Sequence, residues 1–239
     1  THQQYAWEKF ILSGDMGYQN NHREEWSAFH THYGSQPLPE TNPDKELGFN
    51  LNTFSFSAKG RLIGSSSWEH RMGWDSQFQR NTISGYSFLL PEYERFTTGV
   101  SWLTTYRPHN VLAVSGGIRY DYGRMRVFAH DDPYLATYLQ EQGYSDEQVE
   151  SYRWNSRRVN RNFGDYSLSL GVVWTPSVRH QLKVNVGRSF RLPGANELAS
   201  NGVHHGTFRH EQGDATLSSE QGWQMDASYQ LKYGRLSLY

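Results

Sequence analysis

The stretch "RFTTGVSWLTTYRPHNVLAVSGGIRYDYGRMRV", Arg95 to Val127, decides the fold class. In its first half Phe96, Thr98, Val100, Trp102 and Tyr106 share one side. In its second half Leu112, Val114, Ile118, Tyr120 and Tyr122 do the same, with Ala113, Ser115, Gly117, Arg119 and Asp121 behind them. Side chains alternate across a strand with period two, so both halves read as β-strands with one apolar face and one small or polar face. The residues Arg107 to Asn110 between them are enough only for a tight turn, which makes the pair antiparallel.

The same alternation recurs along the chain. Phe10, Leu12, Met16 and Tyr18 align, as do Trp68, His70, Met72 and Trp74. Tyr166, Leu168, Leu170, Val172 and Trp174 follow, then Leu182, Val184 and Val186, then Trp223, Met225, Ala227, Tyr229 and Leu231. Leu47 to Ala58 is strand-like too, with its apolar residues changing face near Phe54. Short connections (60–67, 107–110, 176–180, 232–235) alternate with long ones (20–46, 81–95, 123–164, 191–220). An up-and-down meander with that alternation has all its turns at one end and all its long loops at the other.

Composition supports the same reading. Aromatic residues make up 15% of the chain while mean hydropathy is only -0.79. A sheet with one aromatic-rich face and one polar face satisfies both numbers. The absence of cysteine excludes disulfide scaffolds and Cys-based metal or redox sites. A formal net charge of -1 argues against a nucleic-acid partner, which would call for a basic excess. No apolar run is long enough for a transmembrane helix and no signal peptide opens the chain, which starts as if within a strand. Backbone groups in hydrocarbon must be paired within a sheet, so tilted strands of roughly ten residues are what can cross a membrane here. The expected fold is therefore all-β: an antiparallel up-and-down meander forming part of a transmembrane β-barrel. A soluble carbohydrate-binding β-sandwich alternates identically and stays open as an alternative, with exposed Trp and Tyr stacking on sugar; it requires Trp68, Trp102 and Trp174 to be buried between sheets.

The longest loop carries helix signals. Asp132 before Pro133 starts one helix, with Leu135, Tyr138 and Leu139 on a face and Gly143 as a stop. Ser145 and Gln148 resemble a capping box for a second, along which Val149, Tyr152, Ser156, Val159 and Phe163 recur at helical spacing. Arg153, Arg157 and Arg161 then form a stripe that either holds an anionic ligand or answers Asp146, Glu147 and Glu150 as a solvated face. "GVHHGTFRHEQGD" (202–214) places His204, His205 and His210 beside Glu211, a set that either binds metal or is solvated loop; His30 and His32 pose the same choice in the first loop. No GxSxG, HExxH or phosphate-loop pattern is present, so no enzyme and no resident cofactor is expected.

Four phrases carry a resemblance. "GYQNNHREEW" (17–26), "LLPEYERFTTGV" (89–100), "GGIRYDYGRMRV" (116–127) and "GRSFRLPGANELASNGVHHGTFRHEQGDATLSSEQGWQMDASY" (187–229) resemble, in order, the barrel of TonB-dependent outer-membrane receptors. In the last, Phe190, Arg191, Pro193, Glu197 and Leu198 match a strand-ending "FRxPxxxEL", and Leu217 with Glu220 match the "L-x-x-E" that opens the next strand, with Ser219 where a proline is usual. The resemblance implies a partial barrel domain over residues 1–239, of about nine strands, with the plug domain, the TonB box and the remaining strands outside it. It further implies residence in the outer membrane of a Gram-negative bacterium, with membrane lipid, TonB (through the plug) and a metal chelate or metal ligand as partners. Uptake of a metal chelate, haem, siderophore or metal ion is the implied function, and "GVHHGT" is similar to a loop of receptors linked to zinc or haem. A passive porin-like barrel is the alternative within the membrane.

Overall fold

In a computed structural model, which describes residues 1–31, 36–65, 67–204, 209–233 and 236–238, the alternating segments become one antiparallel meander. The strands are β1 (His2–Ala6), β2 (Phe10–Trp26), β3 (Lys45–Ile63), β4 (Trp68–Ser84), β5 (Tyr93–His109) and β6 (Leu112–Val127). The long loop holds β7 (His130–Asp131), α1 (Pro133–Glu141), α2 (Asp146–Tyr152) and β8 (Trp154–Ser156). Then come β9 (Val159–Ser177), β10 (His180–Arg191), α3 (Ala195–Ala199), β11 (Asn201–His204), β12 (Arg209–Gln212), β13 (Glu220–Tyr233) and β14 (Leu236–Leu238). Among the described residues ten strands share one sheet in the order β1-β2-β3-β4-β5-β6-β9-β10-β13-β14, and β7-β8 and β11-β12 are small ribbons in the loops.

The cross-strand register shows why the two faces differ. Tyr18, Phe54, Phe78 and Phe96 lie opposite one another across four adjacent strands, forming a row of rings. Trp68 and Tyr106 form a second row near the turns, their rings 4.3 Å apart. Ten residues of β4 separate the rows, about 33 Å along the strand at ~3.3 Å per residue, or roughly 25 Å across the membrane at a tilt of about 40°. That matches the height of a lipid-facing apolar band between two aromatic girdles.

Side chains of the band point away from any protein partner. Val100 is 58% exposed, Trp102 55% and Leu170 57%. Trp68 and Trp174 are exposed as well, so a second sheet does not cover them and the sandwich alternative is set aside. Two polar pairs form on this face: the Trp74 indole donates to Thr98 Oγ1 at 3.0 Å, and His70 Nδ1 meets Thr104 Oγ1 at 2.6 Å. In lipid an unpaired group would be costly, because no water is there to satisfy it. The opposite face carries charge. Arg119 bridges Asp75 (2.7 Å) and Asp121 (2.6 Å), while Glu69 collects Arg61, Arg71 and Arg107.

Above the upper row of rings the polarity of the faces inverts. Leu47, Met125, Val127, Val159 and Phe163 occupy inward positions and are buried, whereas the outward positions turn polar. The register runs through this level without a break, so the change of face near Phe54 reflects the end of the membrane, with strand pairing intact. The strands are accordingly longer than ten residues: β2 to β6 and β9 each run 16 to 19. The surplus is barrel wall standing in water, where both faces are polar and periodicity no longer marks a strand.

Candidate ligand vestibule

All four long connections leave the same end of the sheet. Together they enclose a cavity of about 1110 Å³ at the barrel mouth. The first loop supplies Pro37, Leu38 and Pro39, the second Tyr86 and Phe88, the third His130, Tyr134, Leu135, Tyr144 and Tyr152, and the last Asn201, Gly202 and His210.

Local chemistry fixes each wall. α1 starts where Asp132 accepts hydrogen bonds from the Tyr134 and Leu135 amides, both at 3.0 Å, and ends before Gly143 at φ +81°. α2 starts at the Ser145–Gln148 capping box. The two helices close on Ala136, Leu139 and Val149, a small core of their own. Tyr86 anchors the first loop, its hydroxyl 3.1 Å from Ser27 Oγ and its ring edge-on to Phe29. Gly85 allows this turn: at φ +101° a Cβ there would stand 2.3 Å from the Glu46 carbonyl oxygen. Phe88 stacks on His130 at 5.1 Å, joining the second loop to the third. Asn201 joins the third to the fourth, donating to the Trp154 carbonyl at 2.9 Å.

The last loop is clasped from beneath. Arg191 forks onto Glu197 (2.7 and 2.9 Å) and reaches Glu220 at 2.8 Å, tying the ends of β10, α3 and β13 together. Leu198 is 1% exposed and packs with Met125, Val127, Val159 and Phe163. Gly213 lies so close to α3 that a Cβ would stand 2.5 Å from the Ala199 nitrogen, and its amide donates to the Ser200 carbonyl at 2.6 Å. Glu197 is held below the usual carboxylate range, first by Arg191 and then by the Gly194 amide. A depressed carboxyl stabilises the fold above its unfolded value of about 4.3, and that stability is lost as pH falls through the lower folded value. The protection factors of amides 194–200, corrected for the intrinsic slowing of exchange in acid, are therefore expected to be high at pH 7 and to drop once the pH falls below the ordinary carboxylate range. Glu197→Gln is expected to exchange fast already at pH 7, with no further acid step.

Residues 2–239 match the protein family described as "TonB dependent receptor-like, beta-barrel". The chain belongs to this family. Its members are transporters, not catalytic enzymes, and it is a protein of the Gram-negative outer membrane. Among solved structures the chain resembles a double mutant of the Serratia marcescens hemophore receptor HasR in complex with its hemophore HasA and heme. That match has TM-score 0.65 and 17% identity, and covers 98% of this chain and 36% of the other. It also resembles the copper transporter OprC (TM-score 0.60, 12% identity, 95% and 34% covered). A third is the FrpB iron transporter from Neisseria meningitidis, F5-1 variant (0.59, 12%, 94% and 32%). The chain thus spans about a third of the length of each, and the likeness is one of fold. No curated protein matches it in sequence.

Within this receptor wall the sequence candidates separate. His210 lines the vestibule. His204 and Glu211 sit on the same β11–β12 hairpin, where His210 pairs with Val203, His204 with Arg209 and Glu211 with Gly202. His205 and His32 lie outside the described residues, and among the described residues no three His or acidic side chains gather as metal ligands. The arginine stripe is corrected. α2 ends at Tyr152, Arg153 caps it, Arg157 is exposed between strands, and Arg161 belongs to β9. Arg153 is drawn to Asp131 and Arg161 donates to the Ala215 and Leu217 carbonyls, so both hold loops together. Pairing of Trp154–Ser156 with β7, and of Val159 onward with β6, outweighs the helical spacing. The shared aromatic lining from Tyr86, Phe88, Tyr144 and Tyr152 is not legible in the sequence, because the two pairs lie in different loops more than fifty residues apart.

Proposed function

We propose that the chain is part of the wall and mouth of a TonB-coupled uptake receptor that carries a metal chelate, haem, siderophore or metal ion across the outer membrane. Further strands would pair with the open edges of β1 and β14, and a plug domain beyond this stretch would meet TonB; open edges otherwise invite association. The observation that carries this reading is the vestibule: an aromatic cavity of about 1110 Å³ built by all four loops, on a wall of this family. Its size and apolar lining with a few polar groups suit a bulky ligand.

Charge narrows the ligand. Lys45 is the one lysine or arginine among the described lining residues, and it is tied to Glu24 at 2.5 Å, so the described lining has no unpaired lysine or arginine for an anionic ligand. A largely apolar ligand with a metal centre fits best, which favours a neutral chelate, or haem with its propionates turned toward water at the mouth. This agrees with relatives of the fold whose names concern heme, copper and iron. His210, with His204, His205 and Glu211 on its hairpin, is the proposed metal-side contact; Arg157 stays available as a rim contact, and Arg153 and Arg161 act through loop packing.

Titration of the receptor in detergent with haem and with zinc tests this. The His204→Ala, His205→Ala double variant and His210→Ala are each expected to bind about tenfold more weakly, ~1.4 kcal/mol. Unchanged haem and zinc affinity in both variants would remove the histidines from the proposal.

A further inference from the structure

The outward face of the sheet holds a second charged feature, unrelated to the vestibule. One residue pair above the row Phe54–Phe78–Phe96, on the loop side, Arg80, Glu94 and Arg126 lie directly opposite one another on β4, β5 and β6. Arg124 takes the place of a ring in the row beneath, opposite Phe96. All three arginines occupy outward positions by register, the face on which Val100 and Trp102 meet lipid. Arg80 and Arg126 keep 53% and 46% of their side-chain surface exposed although Glu94 lies between them, at 4.0 and 3.2 Å. Arg124 is exposed and donates to Asn160 Oδ1 at 3.3 Å.

Three guanidiniums thus face one carboxylate at the level where the lipid tails end. A cation in that place gains nothing from the barrel interior, which is on the other side of the wall. What lies at that level is the headgroup layer of the outer leaflet, and guanidinium forks match phosphate oxygens in geometry and charge. Flanking groups provide further polar contacts: Asn52, which accepts from the Tyr18 hydroxyl at 2.7 Å, and Asn162, which accepts from Tyr122 at 3.0 Å.

We infer that Arg80, Arg124 and Arg126 form a lipid site on the outer wall, which binds the phosphate groups of an outer-leaflet glycolipid. Its acyl chains would lie over Phe78, Phe96 and Val100, and its phosphates in the fork between β4 and β6. The site rests on the outer-membrane location and is independent of what the vestibule takes up.

Native mass spectrometry of the detergent-extracted receptor with added lipid A is the test. Bisphosphorylated lipid A is expected to bind at least about tenfold tighter than dephosphorylated lipid A, and the R80Q/R124Q/R126Q variant is expected to lose that preference. Arg95→Gln, on the inward face of β5 beside Glu94, is expected to bind as the unaltered protein does, which separates a site on the outer face from loss of net charge. Unfolding of the triple variant is monitored by its heat-modifiable gel mobility, and the single variants R80Q and R126Q, each expected to weaken binding about threefold, replace it if it does not fold. Equal binding of the two lipids, or retained preference in the variants, overturns the inference. So does complete displacement of the lipid by inorganic phosphate, which would mark a free-anion site.

Discussion

Val100→Arg is expected to destabilise the protein by about 2–4 kcal/mol in a bilayer, because the side chain lies near the middle of the lipid-facing band. Val100 has 58% of its surface exposed, and in a protein surrounded by water such a position would tolerate arginine within about 0.5 kcal/mol. Ser169→Arg is the control. Ser169 lies opposite Gly117 and Gly187 on the polar inward face, and there the same charge is expected to cost less than about 1 kcal/mol. Urea unfolding from lipid vesicles reads both values. A cost for Ser169→Arg equal to that of Val100→Arg would mean the two faces have been assigned wrongly.

Leu198→Ala carries the second large effect, about 2–5 kcal/mol, through the cavity left among Met125, Val127, Val159 and Phe163. The loss falls on the docking of the last loop, since α3 is held to the wall by that cluster and the Arg191 clasp. The barrel strands, joined by ladders that Leu198 does not enter, are expected to keep their heat resistance. Limited proteolysis is expected to cut within 192–219 in the variant and not in the unaltered protein, with weaker vestibule binding alongside. Resistance to cleavage in the variant would show that the loop docks by other means.

These two residues also show what the sequence discloses and what it hides. Val100 is legible: a strict period of two, with aromatic residues at the strand ends, is imposed by lipid on one side and water on the other. The alternation of short and long connections, the Asp132–Pro133 helix start and the Ser145–Gln148 box are local signals, and the structure contains all of them. Strand length is hidden, because beyond the girdle row residues such as Asn20 to Glu25 are polar on both faces while their backbone pairing continues. The position of Leu198 in a core is hidden for another reason. The five residues of α3 are too few for a periodic pattern, and their burial depends on Met125 and Val127 of β6 and Val159 and Phe163 of β9, more than thirty residues away. The motif residues Arg191, Glu197 and Glu220 were legible as a family phrase, and the structure gives the phrase a physical cause in the clasp. The hairpin β11–β12 reads as loop in the sequence because four-residue strands with glycine at Gly202 leave no alternation to detect.

The central claim is that the exposed apolar face meets lipid while the charged face lines the barrel. The chain contains no cysteine, so single labels can be placed cleanly. Nitroxides introduced by Val100→Cys, Ile118→Cys and Leu170→Cys, and by Ser101→Cys, Gly117→Cys and Ser169→Cys on the other face, can be compared by EPR accessibility in bilayers. The first three are expected to be relaxed by oxygen and shielded from a water-soluble nickel chelate, and the second three the reverse. Equal access of the nickel chelate to both sets would contradict the account.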